Sequence, residues 1–205
     1  MPAFRRTLRT STTSRCAPVG GGDFTKDDVR GGFNGGVAIF QAQFLRDQKI
    51  LSLNDLTTAD SAFPQGWDMP LGWPKPSWGN WSLRDEWVID VRRIPSLIPG
   101  YCYGKRIMYV DKYFYHESWT DLYDANMKLW KVFSFERSPR RVDGAMSSIV
   151  GTVAAQMWDL QNDHSSIGFT AAGPGRDIVV NDEVPRQYQS IPRYSSPSGL
   201  AEIMR

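Results

Sequence analysis

The segment 105–135 constrains the fold of this chain more than any other part of the sequence. It holds three runs rich in aromatic and β-branched residues, 105–111, 113–123 and 128–135, and the polar turn 124–126 separates the last two. Such runs, bounded by turn signals, are typical of strands. Because the connections are far shorter than the crossovers that parallel strands need, we predict an antiparallel meander.

A further strand is predicted upstream of this segment, over residues 86–93. Its apolar residues Trp87, Ile89 and Val91 alternate with charged ones, which is the period-two pattern of a strand with one buried face. In the run 128–135, by contrast, large apolar side chains occupy both odd and even positions. Other parts of the chain must therefore cover both faces of that strand.

The remaining patterns are weaker. Residues 37–53 contain two apolar stretches separated by a charged turn, which favours two strands, and a helix over the first stretch also fits. Residues 147–160 and 167–172 fit strands as well. Ser196 and the proline after it suit the cap and first turn of a short helix over residues 196–204.

The segment 57–82 combines four prolines with four of the eight tryptophans in the chain. Proline at this density excludes a central strand and a long helix, so we predict an ordered loop. Its aromatic rings can cover the core or face a partner, and covering the core is the favoured interpretation.

The length of 205 residues and the ordinary charge content predict one folded domain. We divide the chain into a basic, Gly-rich N-terminal segment (1–36), an antiparallel β domain (37–172) and an extended C-terminal tail with a short terminal helix (173–205). In the first part, Thr25 and Asp28 have the spacing of a capping box with Asp in place of Glu, which predicts a single helical turn.

Composition argues against several classes of function. No apolar stretch is long enough to span a bilayer, and none follows the N-terminal arginines as in a signal peptide, so we predict peripheral membrane association at most. With a net charge of only +2, the arginines are interpreted as a solvated terminus, and we predict no nucleic-acid binding. Cys16 and Cys102 can form one disulfide or remain two buried thiols.

Catalytic and metal-binding signatures are also missing from the sequence. Only His116 and His164 supply imidazoles, which excludes a multi-histidine metal site. We expect His116 to pack in an aromatic strand and His164 to lie in a polar turn, where pairing with Asp163 offers weak metal binding or acid–base chemistry. The motifs of serine hydrolases and zinc proteases are absent. We therefore predict no enzyme activity, no cofactor and no metal site.

Five segments carry a recognisable set of motifs: 23–29, 32–35, 92–95, 99–111 and 121–132. The last is the most specific, because a Tyr-Asp pair precedes a turn that leads into Leu129 and Trp130. The last three segments resemble the C-terminal half of the bacterial family called domain of unknown function 1329, and the first two resemble its middle segment. The resemblance covers residues 4–160. Family members usually have glycine in this turn, and here Asn126 is expected to adopt the left-handed conformation.

The resemblance implies both a fold and a cellular role. Family members are exported, are often labelled outer-membrane lipoprotein-sorting proteins, and are similar to the LolA/LolB carriers, which hold acyl chains in a hydrophobic cavity. The implied fold is mainly β, an antiparallel meander forming an open, incomplete LolA/LolB-like half-barrel with few short helices. The implied location is the periplasm or cell envelope. Because family members are about twice as long, we expect an open sheet edge that a protein partner completes.

Two hypotheses of function follow. In the first, the chain is a non-enzymatic envelope protein that binds or carries a lipid or other hydrophobic ligand on the concave face of its sheet. Six residues are the candidate wall of that site: Trp87, Ile89, Trp119, Leu129, Trp130 and Phe133. In the second, the chain is a structural or accessory subunit that binds a partner through its open edge, its Trp/Pro loop and its tail.

Overall fold

The structure of the chain is a computed structural model. It describes residues 15–19, 21–28, 31–55, 66–137, 140–142, 145–147, 152–169 and 190–203. Within these ranges, no helix has both the length and the apolar character needed to cross a membrane.

Eleven strands are found in the described ranges, and seven of them form one sheet. In chain order the strands are β1 (Phe40–Asp55), β2 (Trp67–Asp68), β3 (Trp73–Pro74), β4 (Asn80–Arg93), β5 (Lys105–Asp111), β6 (Glu117–Tyr123), β7 (Leu129–Arg137), β8 (Arg140–Val142), β9 (Ala145–Ser147), β10 (Thr152–Asp159) and β11 (His164–Phe169). The large sheet has the order β1-β4-β5-β6-β7-β10-β11, and the pairs β2-β3 and β8-β9 are separate ladders.

The large sheet is an antiparallel meander, as predicted. Each of its strands pairs antiparallel with the next, and the sheet is not closed. The helical elements are short: 3-10 turns at Lys26–Asp28, Val37–Ile39 and Pro76–Trp78, and the helices α1 (Ile191–Ser195) and α2 (Pro197–Ile203). The mainly β, open fold class predicted from the sequence is therefore confirmed.

The two α-helices belong to a compact unit of their own. This unit comprises residues 1–13 and 177–205, while residues 14–176 form the unit that contains the sheet. The backbone N–H of Gly199 donates to Oγ of Ser196 at 3.1 Å, so Ser196 caps the short terminal helix as predicted.

The first strand differs from its prediction. The sequence favours two strands over residues 37–53, but β1 is one continuous strand of 16 residues. The charged stretch 46–49 pairs with β4, and a register shift between Phe44 and Arg46 accommodates it. Because β1 lies at the edge of the sheet, its charged side chains reach solvent without leaving the ladder.

The strand predicted over residues 113–123 begins only at Glu117, because Asp111 organises a turn before it. Its Oδ1 accepts hydrogen bonds from the backbone N–H groups of Tyr113 and Phe114, both at 2.7 Å. Tyr115 then adopts a φ of 55°, which ends the turn. The aromatic residues Tyr113, Phe114 and Tyr115 therefore lie outside the strand, whereas Trp119 and Tyr123 lie within it.

The turn between β6 and β7 is formed by Asp124. Its Oδ1 accepts the N–H groups of Asn126 and Lys128 at 2.9 and 3.0 Å. The left-handed residue is Met127, with a φ of 63°, so the expectation that Asn126 adopts this conformation is wrong.

The sheet has two faces that are covered by different parts of the chain. On one, which we call the N-terminal face, the loop residues Ile98, Tyr101 and Tyr103 pack with sheet residues into a buried cluster. The sheet residues in this cluster are Leu122, Phe133 and Met157. The opposite face carries Trp119 and Trp158, and we call it the loop face.

The described part of the Trp/Pro loop, residues 66–82, covers the loop face. The ring of Trp73 stacks on that of Trp158, with centroids 4.5 Å apart, and Trp158 Nε1 donates to the carbonyl of Leu71 at 3.0 Å. Trp67 is 2% exposed. The favoured interpretation, that these rings cover the core, holds for this part of the loop; residues 57–65 lie outside the described ranges.

Replacing Trp158 with alanine should strongly destabilise the fold. Trp158 is 1% exposed, and truncating a core tryptophan costs about 3–5 kcal/mol of the free energy of unfolding. Leu83→Ala is the control, because Leu83 is 65% exposed and should change stability by less than about 0.5 kcal/mol. Urea unfolding followed by circular dichroism measures both, and equal midpoints would contradict this packing.

A buried carboxylate on the loop face should make stability depend on pH. Glu86 has no exposed surface and accepts hydrogen bonds from Ser52 Oγ (2.7 Å) and Ser118 Oγ (2.6 Å). Burial raises the pKa of Glu86, and these bonds oppose that rise only in part. The contribution of Glu86 to stability is therefore fully present below the pKa of the unfolded chain and is lost as pH rises through the folded-state pKa.

Glu86→Gln should remove this loss. We expect its free energy of unfolding to exceed that of the wild type by more at about pH 8 than at about pH 4. Urea titrations at both pH values provide the measurement. A difference between the two proteins that is constant with pH, or that grows towards acid, would contradict the raised pKa.

Candidate functional site

The N-terminal segment 15–28 is fixed to the N-terminal face by a disulfide and by Asp27. Cys16 and Cys102 form a disulfide bond with their Cα atoms 5.1 Å apart, so of the two states open from the sequence the structure has the bonded one. Asp27 is fully buried; its Oδ2 accepts the N–H of Cys102 at 2.8 Å, and its carboxylate pairs with Arg15. The disulfide and the contacts of Asp27 therefore both attach the segment at Cys102.

Asp28 provides a second attachment. It accepts hydrogen bonds from the hydroxyl of Tyr103 (2.8 Å) and from the backbone N–H of Thr25 (2.6 Å). The contact with Thr25 is the reciprocal bond of the predicted capping box, around the 3-10 turn Lys26–Asp28. Burial raises the pKa of Asp28, against the hydrogen bonds from Thr25 and Tyr103.

This attachment decides which part of the N-terminal face is core. Under segment 15–28, the ring of Phe24 packs edge-to-face on Phe133, with centroids 5.6 Å apart. Phe133 is 3% exposed, so this part of the face is filled by the protein itself.

Towards β1 the same face carries an apolar groove of about 470 Å³. Its floor consists of five side chains from three neighbouring strands: Ala42, Ile89, Val91, Met108 and Val110. Strand register explains the floor, because Ile89 lies opposite Met108 and Val91 lies opposite Ala42, which directs all of them to one face.

The walls of the groove come from chain segments outside the sheet centre. Phe33 and Phe40 lie on one side, and Tyr115 and His116, from the turn after β5, lie on another. Tyr115 is 73% exposed and contacts the ring of Trp87 at a centroid distance of 5.7 Å. The groove is therefore lined mainly by aliphatic and aromatic carbon, which suits an apolar ligand.

Glu117 is the carboxylate of the groove. It is 8% exposed, and Oγ1 of Thr120 donates a hydrogen bond to it. A Cβ atom on Gly31 would lie 2.7 Å from Oε2 of Glu117, so the backbone of the N-terminal segment passes close to this group.

The structure does not bring the six predicted wall residues together. Ile89 lines the groove, and Trp87 lies on the same face of β4 beside the wall residue Tyr115. Phe133 belongs to the buried cluster, and Trp130 packs against it. Trp119 lies on the opposite face, where its ring stacks with Trp158 at 6.0 Å.

The last two of the six lie at the start of β7. Trp130 Nε1 donates to Oδ2 of Asp159 at 3.0 Å, and its ring contacts that of Tyr103 at 5.8 Å. Leu129 pairs with Tyr123 at the end of the β6-β7 ladder. A register shift between Leu122 and Tyr123 interrupts the alternation of the β6-β7 ladder at these positions.

Sequence reasoning missed most of the groove. Met108 and Val110 could have been predicted from the sequence, because they alternate in a predicted strand that follows the strand of Ile89. Phe33 and Phe40 gave no such signal, since their positions depend on how the N-terminal segment crosses the sheet.

The two histidines occupy different surroundings. His116 lies in the groove wall, after the turn at Asp111. His164 is the first residue of β11, and its Nδ1 lies 2.7 Å from Oδ2 of Asp23. Oγ of Ser166 donates to the same oxygen of Asp23 at 2.7 Å. The carboxylate of Asp23 therefore lies between Ser166 and His164. In a catalytic triad the histidine contacts the serine directly and accepts its proton, and His164 is not placed to do so.

Comparison with known families gives a match over nearly the whole chain. The family described as "Protein of unknown function (DUF1329)" matches residues 1–200. The chain belongs to this family. Among curated proteins, a sequence search finds no match. The family resemblance predicted from the motifs is therefore confirmed, and it extends over more of the chain than residues 4–160.

Solved structures share the fold of this DUF1329 chain. One is a candidate outer membrane lipoprotein-sorting protein domain from Vibrio parahaemolyticus, with 16% sequence identity, a TM-score of 0.54 and coverage of 86% of this chain. Another is a DUF1329 family protein from Desulfovibrio piger, with 12% identity, a TM-score of 0.51 and coverage of 88%. The chain spans 59% and 58% of the lengths of these two proteins.

Removing the disulfide should destabilise the chain. Cys16 and Cys102 are 86 residues apart, and a cross-link that closes a loop typically contributes about 2–4 kcal/mol to the free energy of unfolding. We expect the double variant Cys16→Ser, Cys102→Ser to lose about this amount in urea unfolding. Reductant should lower the wild-type midpoint and leave that of the variant unchanged; an unaffected wild type would argue against the bond.

Proposed function

We propose that this chain is a non-enzymatic envelope protein that binds or carries a lipid or other hydrophobic ligand in the apolar groove of its N-terminal face. The observation that carries the proposal is the floor of the groove. There, aliphatic side chains from three strands, among them Ile89 and Met108, point into one open cavity. Its volume of about 470 Å³ lies within the range of small-molecule sites.

The surroundings of the groove support an apolar ligand over a catalytic role. The aromatic rings of Phe33, Phe40 and Tyr115 offer large contact areas to an acyl chain or a ring system. Glu117 is engaged by Thr120, and in the described part of the chain no cluster of three or more potential metal ligands is found.

A location in the periplasm or cell envelope fits the same proposal. One structural relative is named for outer membrane lipoprotein sorting, and the fold is common to both chains. The disulfide between Cys16 and Cys102 supports an oxidising compartment, since such bonds persist mainly in exported proteins. Contact with the membrane would be peripheral.

Filling the groove should abolish binding. Ala42 is exposed at the floor, so Ala42→Trp places an indole in the cavity with little cost to the fold. Gln43→Trp is the matched control, because Gln43 is the next residue of β1, also exposed, and points to the other face.

The probe is N-phenyl-1-naphthylamine, an uncharged dye that fluoresces in apolar surroundings. We expect the wild type and Gln43→Trp to bind it, and Ala42→Trp to bind about tenfold more weakly or not at all, a loss of about 1.4 kcal/mol or more. No binding by the wild type, or equal binding by both variants, would refute the groove as a ligand site.

A second candidate function is that of a subunit whose sheet is extended by a partner. The observation that favours it is the edge strand β1, 16 residues long, on which Phe44 and Leu51 are 57% and 54% exposed. Native mass spectrometry of the chain purified from cells separates the two: a lipid-bound species favours the first function, and a ligand-free chain found only with a partner favours the second.

A further inference from the structure

Arg106 is a buried cation beside the groove. Its side chain is on the N-terminal face of β5 and is 1% exposed. Nη1 donates to the carbonyl oxygen of Gly31 at 2.7 Å. Three rings surround the guanidinium: its central carbon lies 4.7 Å from the centroid of Phe33, 5.2 Å from that of Phe40 and 5.9 Å from that of Tyr101.

Among the residues that the structure describes, the other two nitrogens of Arg106 have no hydrogen-bond partner. Nε and Nη2 are both buried and unpaired. A buried charged donor without an acceptor is costly, so an oxygen-bearing group is needed at this position.

The unpaired atoms form the edge of the guanidinium that binds carboxylates elsewhere in this chain. Arg84 uses Nε and Nη2 to bind both oxygens of Asp111, at 2.6 and 3.2 Å. Arg92 uses the same two nitrogens on Asp90, at 3.1 and 2.9 Å. Because this edge matches the spacing of carboxylate oxygens, the vacant edge of Arg106 is suited to a carboxylate.

Three of the residues that contact the guanidinium of Arg106 also line the groove. Gly31, Phe33 and Phe40 contact the guanidinium and line the cavity, and Val91 of the groove floor lies opposite Arg106 in the β4-β5 ladder. The cation therefore lies beside the groove, in contact with the wall residues Phe33 and Phe40.

Resting on the function proposed above, we propose that the ligand of the groove is an amphiphile with a carboxylate head group. The carboxylate binds Nε and Nη2 of Arg106, and the apolar chain lies along Ile89 and Met108. Glu117, the acidic residue in the groove lining, accepts a hydrogen bond from Oγ1 of Thr120.

The test compares two ligands of equal chain length, hexadecanoate and hexadecan-1-ol, as competitors of N-phenyl-1-naphthylamine at alkaline pH. For the wild type we expect hexadecanoate to displace the dye at about tenfold lower concentration than the alcohol. Arg106→Gln should abolish this preference and leave the affinity for the alcohol unchanged.

Arg92→Gln is the matched control, because it removes the same charge from an exposed position on the loop face. It should keep the preference for hexadecanoate. Arg106→Lys retains the charge but not the two-nitrogen edge, and we expect it to lose most of the preference, which separates carboxylate recognition from simple attraction.

Hydrogen exchange of the wild-type protein tests the proposal without any substitution at Arg106, and so remains informative if the variants do not fold. Hydrogen exchange of the amides in segments 31–34 and 105–107 should slow with hexadecanoate and not with the alcohol. Equal displacement by both ligands, a preference that survives in a folded Arg106→Gln, or equal exchange would overturn the carboxylate proposal and leave the groove as a neutral lipid site. Failure of both ligands and of the dye to bind would overturn the proposed function itself.

Discussion

The attachment of the N-terminal segment to the loop before β5 determines the rest of this structure. Two adjacent buried carboxylates, Asp27 and Asp28, reach the backbone of Cys102 and the hydroxyl of Tyr103, and the disulfide joins the same two pieces of chain. A buried carboxylate is tolerated only where donors surround it, so the position of the segment is specified within narrow limits. Where the segment lies on the sheet, the face is core; where it does not, the face is a groove.

The meander could be predicted from the sequence because its information is local. Runs of aromatic and β-branched residues separated by polar turns, such as the one at Asp124, indicate successive strands without information from the rest of the chain. Alternation over 86–93 identifies the apolar face of one strand. Two of the errors arose where the side chain of an aspartate accepts hydrogen bonds from the backbone. Asp111 accepts the backbone N–H of Tyr113 and forms a turn, although the aromatic residues there favour a strand. In the turn before β7, the residue with left-handed backbone is Met127, one residue after Asn126.

The candidate site could be predicted only in part, because alternation states which residues share a face and not what covers that face. Ile89 and Phe133 are equivalent in pattern, yet one lines an open groove and the other lies under Phe24. The difference depends on contacts between residues more than 100 positions apart in the sequence. Arg106 illustrates the same limit, since nothing in a Lys-Arg pair at the start of a strand indicates that one of the two cations is enclosed by three rings.

The stacked indoles of the loop face have a consequence for how this protein can be observed. Trp73 belongs to the loop, whereas Trp158 and Trp119 belong to the sheet, and the three rings lie within 6.0 Å of their neighbours in the stack. Chromophores this close share their electronic transitions and give a paired positive and negative band in circular dichroism. The contribution of the Trp73–Trp158 pair exists only while the loop is docked, whereas that of the sheet pair Trp119–Trp158 does not need the loop. The chain therefore carries an intrinsic optical reporter of whether the loop covers this face.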